Sequence, residues 1–137
     1  MPERRDARGI LDTSVVIDLE HLAARDLPVE VAVSAITMAE LAAGPHATTD
    51  PDERARRQDR LQRAEAAFDP LSFDADCARA YGRVYAAVAA SGRKARGARA
   101  VDLLIAATAC ATDLPLYTRN GDDFGAVGDL VRVVRLD

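Results

Sequence analysis

The sequence contains few of the residue types on which disulfide-rich, aromatic or histidine-led sites depend. It has no tryptophan and only 4% aromatic residues, so an aromatic platform for stacking nucleic-acid bases is not expected. Its two cysteines, Cys77 and Cys110, are too few for a disulfide scaffold and have no zinc-ligand spacing nearby. We expect both in the core. The histidines, His21 and His46, stand apart from each other, which gives histidine-led catalysis little support.

Long hydrophobic segments and an excess of positive charge are also missing. The N-terminus, MPERRDAR, is charged and lacks the apolar segment of a signal peptide. No apolar run approaches the length that crosses a bilayer, so we expect a cytoplasmic protein with no membrane association. The net charge of −4 argues against a general nucleic-acid coat protein, which would usually be basic. It leaves open an enzyme that acts on nucleic acid through metal ions.

The abundant residues describe one globular domain. Apolar residues make up 49% of the chain and charged residues 29%, as in folded proteins rather than disordered ones. A length of 137 residues is sufficient for one core of useful size. We predict a single domain over residues 1–137, in which residues 1–7 form a flexible tail.

Short apolar segments alternate with helical patterns along the chain. This alternation predicts an α/β fold, a three-layer α/β/α sandwich with a mainly parallel central sheet. Ser14 is predicted to cap a helix from Val15 to about Leu22, and Tyr85 is predicted to share the apolar face of a later helix. Strands are predicted at 8–12, 31–34, 71–73, 115–118 and 130–136.

Four acidic residues are expected beyond the carboxyl ends of these strands, where functional residues of such sheets lie. Asp12 ends the first strand, Asp123 follows a late strand, and Glu40 and Asp102 are acids inside otherwise apolar helices. Taken singly, each has an ordinary explanation as a turn, cap, helix-dipole or surface residue. Together they would repel one another unless a hard divalent cation such as Mg²⁺ or Mn²⁺ were bound. Such an ion activates water and stabilises charge on a phosphodiester.

Four segments, in order, resemble the motifs of the PIN-domain nucleases, in particular the VapC-type toxins. The first is ILDTSVVIDL, the second SAITMAELAAG, the third DLLIAATA, and the fourth LPLYTRNGDDF with its Thr-x-Asn-x-x-Asp-Phe pattern. The resemblance extends over nearly the whole chain. It implies a PIN-like fold and a Mg²⁺-dependent endoribonuclease, with Mn²⁺ able to substitute.

The resemblance also implies roles for individual residues. Asp12 and Asp102 would be the principal metal ligands, and Glu40 and Asp123 would complete the acidic pocket. A set of neighbouring polar residues would orient carboxylates or waters, with Asp122 able to share the role of Asp123. This set comprises Thr13, Ser14, Thr118, Asn120 and Asp122.

An acidic chain that binds RNA needs local positive charge for the phosphates. Candidate phosphate contacts lie in the segment RKARGAR and beside the fourth motif, although a solvated loop is the other interpretation of that segment. These candidates are Arg93, Lys94, Arg96, Arg99 and Arg119.

The resemblance implies three partners: an RNA substrate, a VapB-like antitoxin whose tail occupies the acidic groove, and a second copy of the chain in a homodimer. Two alternatives remain open, a PIN nuclease with a housekeeping role and a catalytically silent PIN-like scaffold that binds RNA or a partner. A haloacid-dehalogenase-like phosphatase would need an acid where Ser14 stands. A response-regulator receiver would need paired acids and a late lysine that are not found at the right strand ends.

Overall fold

The computed structural model describes residues 5–92 and 98–136, without the side chains of residues 98 and 99. Within these residues, a four-stranded sheet has the order β2-β1-β3-β4. Each neighbouring pair of its strands is parallel, as the alternation predicted. The strands are β1 (Arg8–Leu11), β2 (Glu30–Val33), β3 (Leu116–Thr118) and β4 (Val133–Arg135).

Five α-helices in the described residues connect and cover the strands. Short 3₁₀ segments join them, among them Gly121–Val127 between β3 and β4. The helices are α1 (Thr13–Ile17), α2 (Ala35–Ala43), α3 (Pro51–Ala67), α4 (Ala75–Ala90) and α5 (Ala98–Thr112).

The sheet separates two hydrophobic cores, which makes the molecule a three-layer sandwich. Successive residues of a strand point to opposite faces of the sheet. Ile10 of β1 packs on one face with α4 and α5, where Val84 is fully buried. Leu11 packs on the other face with Val15 of α1 and Leu61 of α3. The predicted α/β/α architecture is therefore confirmed.

Four local predictions are wrong. The helix predicted from Val15 to about Leu22 ends at Ile17, and a separate 3₁₀ turn follows at Leu19–His21. The segment 71–73 is not a strand, because only Leu71 pairs, through a single parallel bridge to Ser34. Tyr85 is 50% exposed and lies at the margin of the buried face of α4, with its ring centre 6.2 Å from that of Tyr81. The cap of α1 is Asp12 rather than Ser14, because the Asp12 carboxylate already reaches the Val15 N–H from the strand end.

The segment predicted as a tail lies partly outside the described residues, which begin at Arg5. Arg5 donates hydrogen bonds to the carbonyl oxygens of Ala24 and Leu27 at 3.0 and 3.2 Å. The boundaries of the domain, residues 1–137, stay a prediction. Across residues 5–92 and 98–136, none of the helices combines the length and apolar character that a bilayer crossing requires.

Candidate functional site

The carboxyl ends of the parallel strands meet at one edge of the sheet, and Asp12 lies at this edge directly after β1. The residue is only 3% exposed. One carboxylate oxygen, Oδ2, accepts a hydrogen bond from the Thr118 hydroxyl at 2.6 Å. The other, Oδ1, accepts from the Ser14 hydroxyl and from the Val15 N–H, the latter at 3.3 Å. Asp12 is thus a buried acid held by three donors.

The charge of Asp12 has no cationic partner among the side chains that the structure describes. Its three donors are two neutral hydroxyls and one backbone amide. Removing a carboxylate from water is costly unless an opposite charge compensates it. Oxygen donors of this kind are the ligands that Mg²⁺ and Mn²⁺ prefer, so the surroundings of Asp12 fit a hard divalent cation.

Thr118 connects the ends of β1 and β3. Its hydroxyl is fully buried, donates to Asp12, and accepts the Asn120 N–H at 2.9 Å. The Ser14 hydroxyl makes a second connection, because it donates to Asp12 and accepts the Arg119 N–H at 3.2 Å. Two of the residues expected to orient the acids, Ser14 and Thr118, therefore contact Asp12.

Glu40 joins this network from α2. The Thr13 hydroxyl donates to Glu40 Oε1 and lies 3.2 Å from the hydroxyl of Thr37. Thr37 is fully buried, and its N–H donates to the hydroxyl of Ser34, the N-terminal cap of α2. Because Thr13 follows Asp12 directly, one short segment contacts both acids. Thr37 and Ser34 were missed in the sequence, where only the capping position of Ser34 before the helix could have indicated them.

Asp102 and Asp123 lie on the other two elements expected at this edge. Asp102 is half-buried in the first turns of α5, a helix that packs against α2. Asp123 is half-buried in the 3₁₀ segment, where its N–H donates to the Asn120 carbonyl at 3.0 Å. Among the described residues, no three His, Cys, Asp or Glu side chains are grouped so that they could hold a metal ion. The four-acid pocket stays a prediction.

The candidate RNA contacts are only partly described. Arg93, Lys94 and Arg96 lie outside the described residues, as does the side chain of Arg99. Arg119 is described, and its Nη1 donates to Asp18 Oδ2 at 2.9 Å. A phosphate at Arg119 would therefore have to share or replace Asp18, and the role of Arg119 also stays a prediction.

Asp122 contacts a residue that the motifs did not indicate. Its carboxylate accepts a hydrogen bond from Nη1 of Arg135, in β4, at 2.8 Å. Arg135 pairs in register with Thr118, which places it beside the site. The only sequence signal was the glycine of the RNGDDF turn, and a glycine does not reveal which side chain covers it.

Comparison with known proteins identifies the family. The model of the PIN domain matches residues 9–130. The chain belongs to the PIN-domain family. This confirms the family inferred from the four motifs, and the sandwich described above is a PIN fold.

Within the PIN-domain family, the chain is similar to VapC-type proteins. The chain is 40% identical to Ribonuclease VapC5 of Mycobacterium tuberculosis over 124 residues. The aligned region covers 88% of this chain and 88% of VapC5. It matches the crystal structure of VapBC-5, a toxin–antitoxin system of the same organism, with a TM-score of 0.80 and 36% identity over 95% of this chain and 99% of the other.

A more distant PIN-domain structure has the same fold. The chain matches VapBC2 of Rickettsia felis, solved with a promoter DNA fragment, with a TM-score of 0.75 and 24% identity. The match covers 95% of this chain and 99% of that one. At 24% identity, this similarity supports the fold and nothing further.

Proposed function

We propose that this PIN-domain protein is a divalent-metal-dependent endoribonuclease and the toxic component of a type II toxin–antitoxin system. Asp12 carries the proposal: the residue is 3% exposed, and its carboxylate has only neutral donors among the described residues. A buried acid of this kind is expected where a cation binds. The similarity to Ribonuclease VapC5 supports the reaction class.

Asp12, Glu40, Asp102 and Asp123 are the proposed acids of the site, with Mg²⁺ as the cation and Mn²⁺ as a substitute. Asp12 and Glu40 are already joined through Thr13, which neighbours the first and donates to the second. Asp102 lies on α5, which packs against the helix that carries Glu40. The carboxylate oxygens of these residues suit a hard cation.

The hydroxyl groups around these acids act as positioning donors in the proposed site. Thr118 and Ser14 donate hydrogen bonds to different oxygens of Asp12, so the orientation of the carboxylate group is fixed. Thr13 does the same for Glu40. Such surrounding hydrogen bonds keep carboxylates in place for a metal and its waters. A bound divalent cation supplies activation of water and stabilisation of charge on the phosphodiester.

RNA phosphates are proposed to contact basic residues next to the acids. The position of Arg119 supports this, because its backbone N–H contacts Ser14 next to Asp12; its guanidinium is paired with Asp18 at the end of α1. Since this ion pair is partly exposed, exchanging Asp18 for a phosphate costs little. The remaining proposed contacts are Arg93, Lys94, Arg96 and Arg99.

The proposed protein partner is a VapB-like antitoxin whose tail occupies the acidic groove. The similar VapBC-5 structure belongs to a toxin–antitoxin system, which supports this partner. A basic side chain of the antitoxin would supply the positive charge that Asp12 lacks among the described residues. The homodimer and the cytoplasmic location expected from the sequence stay predictions.

The test is cleavage of total cellular RNA by the full chain after metal removal, with and without Mg²⁺ or Mn²⁺. Discrete fragments are expected only with metal, and their loss is expected in Asp12→Asn and Asp102→Asn. Asp69→Asn is the matched control, because it makes the same chemical change at an exposed loop residue. Fragments without metal, or undiminished cleavage in Asp12→Asn, would contradict the proposal.

A catalytically silent scaffold is the second candidate. The observation in its favour is that no three acids of the described residues form a ready metal-binding group. A scaffold would bind RNA in a gel-shift assay without cleaving it in Mg²⁺ or Mn²⁺, and the effect of Asp102→Asn would be a loss of binding.

A further inference from the structure

Arg135 of β4 lies across the turn that follows β3. It is paired in register with Thr118, the residue whose hydroxyl binds Asp12. Its side chain packs directly on Gly121, since a Cβ built on this glycine would lie 2.5 Å from Cγ and 2.8 Å from Cδ of Arg135. Gly121 is itself buried. The absence of a side chain at residue 121 is therefore what allows the arginine stem to cover the turn.

The guanidinium group of Arg135 binds Asp122, the residue that follows Gly121 in the same turn. Its Nη1 donates to Asp122 Oδ1 at 2.8 Å. Both side chains are largely exposed, 60% for Arg135 and 93% for Asp122, so the ion pair by itself adds little stability. Of the two contacts that Arg135 makes with the turn, the packing of its aliphatic stem on Gly121 is therefore the one that restrains the backbone.

The same turn is fixed at both of its ends. At the start, the Asn120 N–H donates to the buried Thr118 hydroxyl at 2.9 Å. At the other end, Phe124 is 1% exposed in the hydrophobic core. Asp123 lies between these two anchors, and Arg135 restrains the residues that lead to it. The backbone before Asp123 is thus held by a hydroxyl, by the core and by an arginine stem.

We propose that Arg135 is a positioning residue that holds the turn of residues 120–123, and with it the Asp123 carboxylate, at the end of β3. The catalytic part of this inference rests on the proposed function, in which Asp123 serves the metal site. Without the stem, Gly121 would regain the backbone freedom that glycine has. Small displacements of a catalytic group are enough to slow a reaction strongly.

The first test measures kcat and KM on one RNA oligonucleotide that contains a cleavage site mapped from the total-RNA digest. Arg135→Ala is expected to lower kcat about tenfold or more, with KM changed less than about twofold, because positioning rather than binding is lost. Arg135→Met should recover most of this loss, since it keeps an unbranched stem over Gly121 and removes only an exposed charge. A KM increase at unchanged kcat would mean that Arg135 binds RNA instead, and would overturn the proposal.

A double-mutant cycle tests whether the stem acts through Gly121. Gly121→Ala is expected to lower kcat, because its methyl group collides with the arginine stem. In Gly121→Ala/Arg135→Ala the methyl group occupies space that the stem has left, so the double variant should be no slower than the slower single variant. Multiplied effects of about a hundredfold, as for independent sites, would overturn the proposal.

Hydrogen exchange separates this inference from the nuclease proposal, because it needs neither RNA nor metal. In the full chain, Arg135→Ala should speed amide exchange over residues 121–124 and leave the amides of α3, which packs on the opposite face of the sheet, unchanged. If the wild-type chain cleaves no RNA, the proposed function fails while exchange still reports on the turn. Unchanged exchange at 121–124 would overturn the inference even in an active nuclease.

Discussion

Replacing Thr118 with valine isolates the contribution of a single buried hydroxyl. Valine has nearly the same shape, and Thr118 is fully buried, so the change removes hydrogen bonds without opening a large cavity. The variant loses the 2.6 Å bond to the Asp12 carboxylate and the 2.9 Å bond from the Asn120 N–H. A bond to a charged group contributes roughly 1.5–3 kcal/mol and a neutral one about 1 kcal/mol. Because Asn120 is exposed and water can replace that partner, the expected loss of unfolding free energy is about 2–3 kcal/mol.

Thr118→Ser is the matched control, because it keeps the hydroxyl and removes one methyl group. Its expected cost is about 1 kcal/mol for one buried carbon. The measurement is equilibrium unfolding in urea at neutral pH with a metal chelator, which excludes stabilisation by a bound ion. If Thr118→Val proves as stable as Thr118→Ser, the buried hydroxyl does not stabilise Asp12 and the described network is energetically unimportant.

Three further outcomes are expected. Burial and then the hydrogen bond to Asp6 raise the pKa of Tyr117 to about 12 from 10.0. The stability that the protonated Tyr117 phenol contributes is therefore complete below pH 10 and is lost as the pH rises towards 12. Spectrophotometric titration should show a tyrosine that ionises near pH 12, and Tyr117→Phe should remove this signal. Thr13→Val removes the donor to Glu40 and should lower RNA cleavage about tenfold, with recovery in Thr13→Ser, whereas equal rates in all three proteins would contradict the role of this hydroxyl. Burial raises the pKa of the Cys77 thiol, so a disulfide reagent should modify it slowly until the protein is unfolded, and a native rate like that of a free thiol would contradict its burial.

Much of the fold could be predicted because apolar periodicity reflects burial. The alternation of short apolar segments and helices located four of the five predicted strands and the sandwich. The strand prediction for 71–73 was wrong because two apolar residues on either side of a serine do not determine a strand, which also needs a neighbouring strand to pair with along its whole length. Only Leu71 has such a partner, Ser34. Tyr85 was misplaced because helical periodicity locates the centre of a buried face more accurately than its margins.

Two residues that contact Asp12 could be named from the sequence, whereas the contacts themselves could not. The motifs indicated Ser14 and Thr118, but which oxygen of Asp12 each hydroxyl would contact depends on the register between β1 and β3. That register is a property of packing between distant segments and has no local signal in the chain. The same reason explains why Arg135 was missed, since its contact with Gly121 depends on the register of β4.

The bond between Asp12 and Thr118 joins residues that are 106 positions apart. During synthesis, N-terminal segments leave the ribosome first and domains fold as units. A nascent chain that has exposed only β1 to α4 carries Asp12 and Glu40 but lacks the hydroxyl that holds the first of them. β1 can acquire β3 as a neighbour only after α5 has emerged, and β4 follows later still. The edge of the sheet is therefore completed only at the end of translation. Under the proposed function, an unfinished chain would not carry an assembled nuclease site while it is still attached to the ribosome.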